Sequence, residues 1–469
     1  MFVWPVVVVG AGPAGLVAAI TLARAGIRTL VLNRRVGVFS HPRATVVSLR
    51  SMELFRSWGL EPEMRMGGDE VEWRMLAAPT LSQAPAGTLI DVGYPTTAES
   101  ARLSPTRPAA VPQDHLETIL IKYLRTLPDA HVDLGVAVED IWPTVNGFGL
   151  RLRTEASGTH RVVEAGYLVG ADGPRSVVRQ CLGVGVQSTE EVLHSFSAVV
   201  RAPLWDVVGR HRYGIYLTEM PALGTFLPAG LGDRWVYGFS WDPRIEGGAD
   251  LSQDQMIARI RAAAGALDLP VRTLDQRRFT FSAAMADHFR SGDAFLIGDA
   301  AHRVTPRGGT GMNNAIADGL NLGWKLSWVL RGWAPDSLLD TYEAERRPVA
   351  EHNLARSLDP MGSRRNMRDE VRFDLGGRVP HVWIDTAAGR VSSLDLLGPG
   401  LSHLSVDQPS VQLDDHSNIP PVTQHVLDRR TAVVLGADQP GGILLRPDGI
   451  VWEAPPSAAA NQIDHGRAA

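Results

Sequence analysis

The chain has 469 residues, a formal net charge of −5, 44% hydrophobic and 21% charged residues, a balance that fits a folded protein of two or three domains able to bury a large cofactor. No run of Lys or Arg offers a footprint for nucleic acid, and no apolar stretch approaches the roughly twenty residues needed to cross a bilayer. The single cysteine, Cys181, excludes disulfides, thiolate zinc clusters and dithiol redox centres, and the His residues are scattered without H-E-x-x-H spacing, so no metal is expected.

The apolar N-terminus from residue 2 to 9 lacks a basic flank, so it reads as a strand and not as a signal peptide, and a cytoplasmic protein is expected. Four valines at 6 to 9 precede Gly10, Gly12 and Gly15, then an Ala/Leu-rich helix over 16 to 25, Gly26, and a second apolar strand over 29 to 32. This is a β-α-β unit with its glycine turn at the carboxyl end of the first strand. Gly10-x-Gly12-x-x-Gly15 lets the chain turn, lets backbone approach a pyrophosphate and lets the helix pack closely; a glycine turn that binds nothing is the competing reading. The second strand ends in Asn33, Arg34 and Arg35, where an acidic partner for a ribose hydroxyl is usual. A neutral residue beside arginines also suits the 2′-phosphate of NADP, so this motif alone leaves FAD and NADP open.

The stretch 76–110, rich in Ala, Pro, Ser and Thr, reads as an excursion from the main body. From Gln113, the spacing of Leu116, Ile119, Leu120, Tyr123 and Leu124 predicts an amphipathic helix. Residues 167–171 and 294–298 are short apolar runs that lead into Asp172-Gly173 and Asp299, as expected for inner strands of a parallel sheet. Asp172 taken alone could simply cap a turn. Between these runs, alternating strands and a helix opened by a Ser252-x-x-Gln255 capping box predict an inserted sheet. Trp235, Tyr237, Phe239 and Trp241 fall on one strand face, which either walls an aromatic substrate or packs against the sheet's own helix; Tyr213 and Tyr216 share those two readings. Towards the C-terminus, residues 431–436 are expected as a strand and 442–452 as a hairpin turning at Pro447-Asp448-Gly449, with a frayed last dozen residues.

The more specific signal is Gly298-Asp299-Ala300-Ala301-His302, followed by Pro306, Gly308, Gly309, Gly311, Met312 and Asn313 and a helix containing Asp318, Asn321, Trp324 and Lys325. Asp299 at a strand end can hold a ribityl hydroxyl, and the helix opened by the glycine loop can aim its first amides at a flavin pyrimidine ring. Reduced flavin is an anion there, so a helix N-terminus contributes about 0.3–2 kcal/mol, and more in a site that excludes water.

Three motifs in this order, Gly10 to Gly15, then Gly170-Ala171-Asp172-Gly173 with Ser176 and Arg179, then Gly298 to Lys325, resemble the class A FAD-dependent aromatic monooxygenases, related to para-hydroxybenzoate and phenol hydroxylases and to the polyketide hydroxylase branch. His41-Pro42-Arg43-Ala44 and Gln113 also match positions beside the flavin in that family. The resemblance covers about residues 5–375. It implies an α/β fold: a Rossmann-like FAD-binding domain over 1–375, a mixed β-sheet substrate subdomain inserted at about 76–110 and 186–284, and a small thioredoxin-like C-terminal domain over 376–469 without a dithiol.

It also implies that Arg43 and Gln113 contact FAD, that Asp172 lies near the flavin and the pyridine nucleotide, that Asp299 binds ribityl, and that Pro306 and Gly308 to Asn313 line the isoalloxazine. Asn33 departs from the family's acidic residue, so weaker retention of FAD is expected. The implied reaction is reduction of FAD by NADPH or NADH, then addition of O2 to give a C4a-hydroperoxide that oxygenates an aromatic substrate. Epoxidation and Baeyer-Villiger insertion use the same site. His302 is expected as a packed supporting residue without chemistry, and the C-terminal tail as a structural element or homodimer contact. Two rival readings remain at this stage: an NADP-dependent dehydrogenase, and a non-catalytic flavin or aromatic-ligand binder.

Overall fold

The structure is a computed structural model that describes residues 3–38, 41–42, 44–189, 193–219, 223–241, 251–387, 389–406 and 419–452. Arg43 and the last dozen residues lie outside that set.

Strand β1 (Val3–Val9) is buried along its second half, as a strand covered on both faces must be. It leads through the glycine turn into helix α1 (Pro13–Arg24) and strand β2 (Thr29–Asn33). Helix α2 (Gln113–Leu124) starts at the residue the apolar spacing indicates and buries Leu116, Leu120 and Leu124. Strand β3 (His160–Gly170) and the short β4 (Ala294–Leu296) complete the parallel core, in the order β4-β3-β1-β2 followed by the strand Ala130–Leu134. Register levels the strand ends: Val9 pairs with both Gly170 and Leu32, and Gly170 pairs with Leu296. Three motifs separated by more than a hundred residues therefore arrive at one rim of the sheet, the place where open α/β sheets bind ligands.

Helix α3 (Gly311–Leu330) lies against α1. The approach is close enough that a Cβ on Gly319 would stand 2.5 Å from the carbonyl oxygen of Ala14. Helix α4 (Asp340–Leu358) braces α3 through Asp318, fully buried, whose Oδ1 accepts from Arg346 Nε at 2.8 Å.

The inserted sheet has seven strands, and it recruits Glu72–Ala78 and Thr88–Asp91 beside the strands between Leu193 and Phe281. The excursion thus enters this sheet a few residues before position 76. Its helix Gln253–Ala264 carries the expected capping box, with Ser252 and Gln255 each answering the other's backbone amide.

The aromatic row on Arg234–Trp241 settles between its two readings by burial. Tyr216, Trp235, Tyr237 and Phe239 are at most 5% exposed and pack with Met256 and Ile260 of that helix in one core, with Tyr213 half-buried at its margin. These five residues pack into the lobe's own core and not as a substrate wall, and the period-two pleat leaves the opposite face to Ser197, which meets His41. The opposite face carries Ser197, Val199, Leu227 and Val236, with Ile215 and Leu217 against Val46, Trp73, Met75 and Tyr94.

The C-terminal region holds a three-stranded sheet, Val422–Val426, Leu401–Ser405 and Ile443–Leu445, in that order. Residues 429–435 form a helix and not the expected strand. Asp428 caps its amides from Arg430 and Thr431 at 3.0 and 3.1 Å, and Gly436 closes it in the left-handed conformation at φ 72°. Both punctuation marks stand in the sequence, and they outweigh the β-branched run between them. The turn at Pro447-Asp448-Gly449 forms as expected, with Arg446 N donating to Ile450 O at 2.9 Å.

This region docks on α3 through Trp324, Trp328 and Leu401, and Trp328 Nε1 donates to Pro399 O at 2.9 Å. Beneath the tryptophans, Arg446 donates to both oxygens of Glu345 at 2.8 and 3.1 Å. The Nζ of fully buried Lys325 sits 2.9 Å from Glu345 Oε2, off the line of a hydrogen bond. Burial pulls the Lys325 pKa down to about 8, with Glu345 opposing it. For Glu345 burial pushes upward, but the Arg446 hydrogen bonds and the Lys325 charge win and hold it at about 2.

Two outcomes follow from this packing. Trp235→Ala is expected to cost about 3–5 kcal/mol in chemical denaturation, whereas Tyr237→Phe should leave the substrate KM unchanged; a large KM change at unaltered stability would return the row to the pocket. Lys325 titrates near 10.5 when unfolded and about 8 when folded, so the unfolded chain binds more protons between those values and stability should rise with pH across that window. Lys325→Met should remove that component, measured as the difference between the two proteins' denaturation profiles at pH 7.5 and 10; parallel profiles would contradict it.

Candidate functional site

At the rim of the parallel sheet the three glycines of the first motif divide the labour. Gly10 has φ 111°, and a Cβ there would lie 2.2 Å from Ala171 O; at Gly15 it would lie 2.0 Å from Gly10 O. Both glycines are consumed by chain packing. Gly12 is different: a Cβ there meets nothing within 4 Å, so the helix end stands open to a ligand. Gly12 is also the N-cap residue of α1, with no side chain of its own on the first amides, which leaves them for a pyrophosphate.

Asn33, at the end of β2, accepts a long 3.4 Å contact from Ala11 N and donates to Arg35 O at 2.9 Å. Its carboxamide thus bridges the glycine turn where a carboxylate would accept from ribose, and exposed Arg34 follows it. Gln113 opens α2, its N–H donating to Ala44 O at 3.0 Å and its side chain to Glu117 at 2.7 Å.

Asp172 occupies the same rim but is engaged by protein. Its carboxylate accepts from Ser176 Oγ and from the amides of Val177 and Val178 at 2.7 and 3.2 Å, capping the next helical turn. Burial raises its pKa against those hydrogen bonds. From this turn Arg179 reaches Ala300 O at 2.9 Å and Pro174 O at 3.0 Å, joining the second motif to the third.

The third motif begins in the turn Gly298–Ala300, where Asp299 is half-buried at the end of β4. Asp318 anchors that turn from α3: its Oδ2 accepts from Gly298 N at 3.0 Å and lies 2.6 Å from His302 Nε2. Burial alone would raise the Asp318 pKa, and His302 and Arg346 overcome it to bring the group to about 2. His302, 3% exposed, is the packed supporting residue the sequence indicates.

Exposed Pro306 then opens the turn that Gly309 N closes on Pro306 O at 3.1 Å, with Gly308 and Gly309 at φ 89° and 64°. Gly311 begins α3, and no side chain caps it. The hydroxyl of Thr310, the N-cap residue, instead accepts from Arg356 Nη2 at 3.2 Å. The amides of the first helical turn therefore have no side-chain cap and are available to an outside acceptor. Met312 is buried in the main core, and Asn313 donates to Val46 O at 3.2 Å while accepting from Ser48 N at 2.8 Å, so its side chain fixes the neighbouring strand.

Several contributors escape the motifs. Tyr94 Oη donates to Gly309 O at 3.0 Å, and Arg365 donates to Gly308 O. Neither has a recognisable spacing to the glycine loop. His41 belongs to a matched motif yet turns its ring to the inserted sheet, 2.9 Å from Ser197 Oγ and 3.0 Å from Asp275 Oδ2. Burial lowers its pKa against the pull of Asp275, so it is held neutral, donating to Asp275 and accepting from Ser197. Among the described residues there is no group of three or more His, Cys, Asp or Glu placed to hold a metal, and no helix is long and apolar enough to cross a membrane.

An open pyrophosphate turn, a strand-end aspartate and an uncapped helix N-terminus on one rim fit the diphosphate, ribityl chain and isoalloxazine of FAD. They define a flavoprotein cleft. Residues 4–357 match the family model of an FAD binding domain. A putative polyketide hydroxylase of Streptomyces halstedii is 30% identical over 98% of this chain and 95% of its own length. Tetracenomycin A2 monooxygenase-dioxygenase of Streptomyces glaucescens is 32% identical over the same shares, 98% and 95%. Among solved structures, the ternary complex of aklavinone-11 hydroxylase with FAD and aklavinone has a TM-score of 0.85 at 29% identity, covering 98% of this chain and 97% of that one. The chain belongs to the FAD binding domain family; it is an FAD-dependent monooxygenase of class A, and FAD is its cofactor.

Gly12→Val is expected to fold, to purify colourless and to melt at the temperature of the parent stripped of FAD, because its side chain would occupy the ligand's space and meets no protein atom. Gly15→Val should fail to fold, since its neighbour is backbone. Asp299→Ala should also lose the flavin and activity; a yellow, active variant would discard its ribityl role.

Proposed function

We propose that this protein uses NADPH or NADH and dioxygen to hydroxylate a polycyclic aromatic molecule of the polyketide type. The observation that carries this reading is the sheet face opposite the aromatic core, which bears half-buried Ile215, Leu217 and Leu227. Ile215 and Leu217 pack in one apolar cluster with Val46 and Tyr94, and Tyr94 ties that cluster to Gly309 O of the glycine loop. The names of the relatives, polyketide hydroxylase and tetracenomycin oxygenase, support a fused-ring substrate.

When bound, FAD supplies hydride acceptance from the nicotinamide and activation of dioxygen. The residues of this chain bind, orient and shield. Asp299 accepts a ribityl hydroxyl. The amides of Gly12, Ala14 and Gly15 receive the diphosphate, Pro13 having none to give, and Asn33 offers the adenosine ribose a neutral partner, so the adenosine end is held less tightly than by a carboxylate. Arg43, which lies outside the described residues, and Gln113 at the start of α2 supply further contacts. The amides at the start of α3 favour the negative charge of reduced flavin. Asp172 keeps the second motif folded next to the flavin and the path of the nicotinamide, and the inserted sheet excludes water from the reacting edge. Residues 376–469 are read as a thioredoxin-like domain that serves structure, in a cytoplasmic enzyme that is able to form homodimers.

The test supplies NADPH or NADH to the flavin-loaded protein with a panel of fused-ring phenols and quinones under 18O2, reading cofactor oxidation and product mass. The expected product gains one labelled oxygen with the carbon skeleton intact. Reduced nicotinamide consumed only to hydrogen peroxide for every fused-ring compound, or a labelled ring-expanded lactone, would overturn hydroxylation of this substrate class.

A further inference from the structure

The loop that opens α3 does not hold itself. Two consecutive carbonyls, Gly308 O and Gly309 O, are taken by Arg365 and by Tyr94 Oη, and the hydroxyl of Thr310 is taken by Arg356. A trans peptide points its C=O and the following N–H in opposite directions. Fixing Gly309 O on Tyr94 therefore turns the Thr310 N–H away from Tyr94, and the same logic holds for Gly308 O and the Gly309 N–H.

The clamp is drawn from distant segments. Tyr94 follows the strand Thr88–Asp91 of the inserted sheet and packs on Trp73. Arg365 is pinned beside it, its N–H donating to Asp91 O at 2.9 Å. Arg356 lies on α4 and also donates to Asn353 Oδ1 at 2.6 Å.

Charge is the second feature. Arg356 and Arg365 both pair with one carboxylate oxygen, Glu370 Oε2, the latter at 3.0 Å. Asp374, which also faces Arg365, accepts from Ser48 Oγ at 2.7 Å and Arg50 N at 3.2 Å, and burial raises its pKa. His352 is 3.8 Å from Glu370 and is pushed towards its neutral form by burial and the two arginines. The Nε of Arg356 and of Arg365 are buried with no hydrogen-bond partner. Two guanidiniums thus share one carboxylate, and each keeps an unspent donor.

We propose that Tyr94, Arg356 and Arg365 are positioning residues that set the reduction potential of the flavin, by locking the peptide planes of Gly308 to Thr310 and by holding two guanidiniums on the loop that meets the reduced, anionic ring. The inference rests on the FAD site and not on the proposed substrate. The guanidinium charge favours the reduced state over the oxidised one, so removing it weakens the binding of reduced FAD more than that of oxidised FAD.

The experiment is an anaerobic, substrate-free dye-equilibrium titration of the flavin-loaded protein, comparing the parent with Tyr94→Phe, Arg365→Met and Arg365→Lys. A tenfold preferential loss of reduced FAD corresponds to about 30 mV for a two-electron couple. Arg365→Met is expected to shift the midpoint negative by that order, Tyr94→Phe by less, and Arg365→Lys to recover most of the shift by restoring the charge. If Arg365→Met does not fold, Tyr94→Phe decides the matter, since it keeps the ring and removes only the hydrogen bond to Gly309 O. Midpoints equal to the parent's in whichever of Arg365→Met and Tyr94→Phe fold would overturn the proposal, as would a positive shift in any variant. Because no aromatic substrate is present, a failure to hydroxylate would count against the proposed substrate and leave this measurement standing.

Discussion

The first amides of helix α3 have no capping side chain, and the rest of the molecule is arranged so that a cofactor can serve as the cap. A helix end left bare costs stability unless something accepts its hydrogen bonds. Here Thr310, the residue at the capping position, has its hydroxyl engaged by Arg356. Helix α3 is in turn fixed from behind: Gly319 brings it onto the backbone of α1, Asp318 ties it to Gly298 and to Arg346, and the C-terminal region seats Trp324 and Trp328. The opening of the helix is therefore held rigid at the end proposed to meet the flavin. Such preorganisation is what lets oriented dipoles act without reorganising at the moment of reaction.

The sheet register does the same for the other half of the cofactor. Levelled strand ends put Gly12, Asn33, Asp172 and Asp299 along one rim, though almost three hundred residues of chain lie between the first and the last. Nothing in the separate motifs encodes that distance. It comes from parallel pairing within one sheet, which gives these strands the same polarity and ends them at one level.

Much of this was legible from the chain because glycine and aspartate at strand ends have few structural uses. The distinction between Gly12, which a ligand needs, and Gly10 and Gly15, which packing needs, follows the fingerprint closely. The aromatic row on Arg234–Trp241 was legible as a row but not as a direction, since a period of two cannot say which side of a sheet meets a helix. The helix after Asp428 was missed because Thr431, Val433 and Val434 favour strands, while its caps lay at the edges. Tyr94, Arg356 and Arg365 could not be found at all: they reach the glycine loop only through tertiary packing, and an isolated Tyr or Arg has no spacing to recognise. His41 shows the opposite failure, a motif residue whose side chain serves the neighbouring sheet.

The account stands on reduced flavin being held as an anion by the amides that open α3. The direct measurement is a pH titration of the protein's fully reduced flavin, followed by absorbance or by the 15N shift of N1 in labelled FAD, with free reduced FAD alongside. Bound flavin should remain anionic well below the pH at which the free cofactor takes up its proton. Protonation of the bound ring at the same pH as free FAD, or above it, would contradict the account.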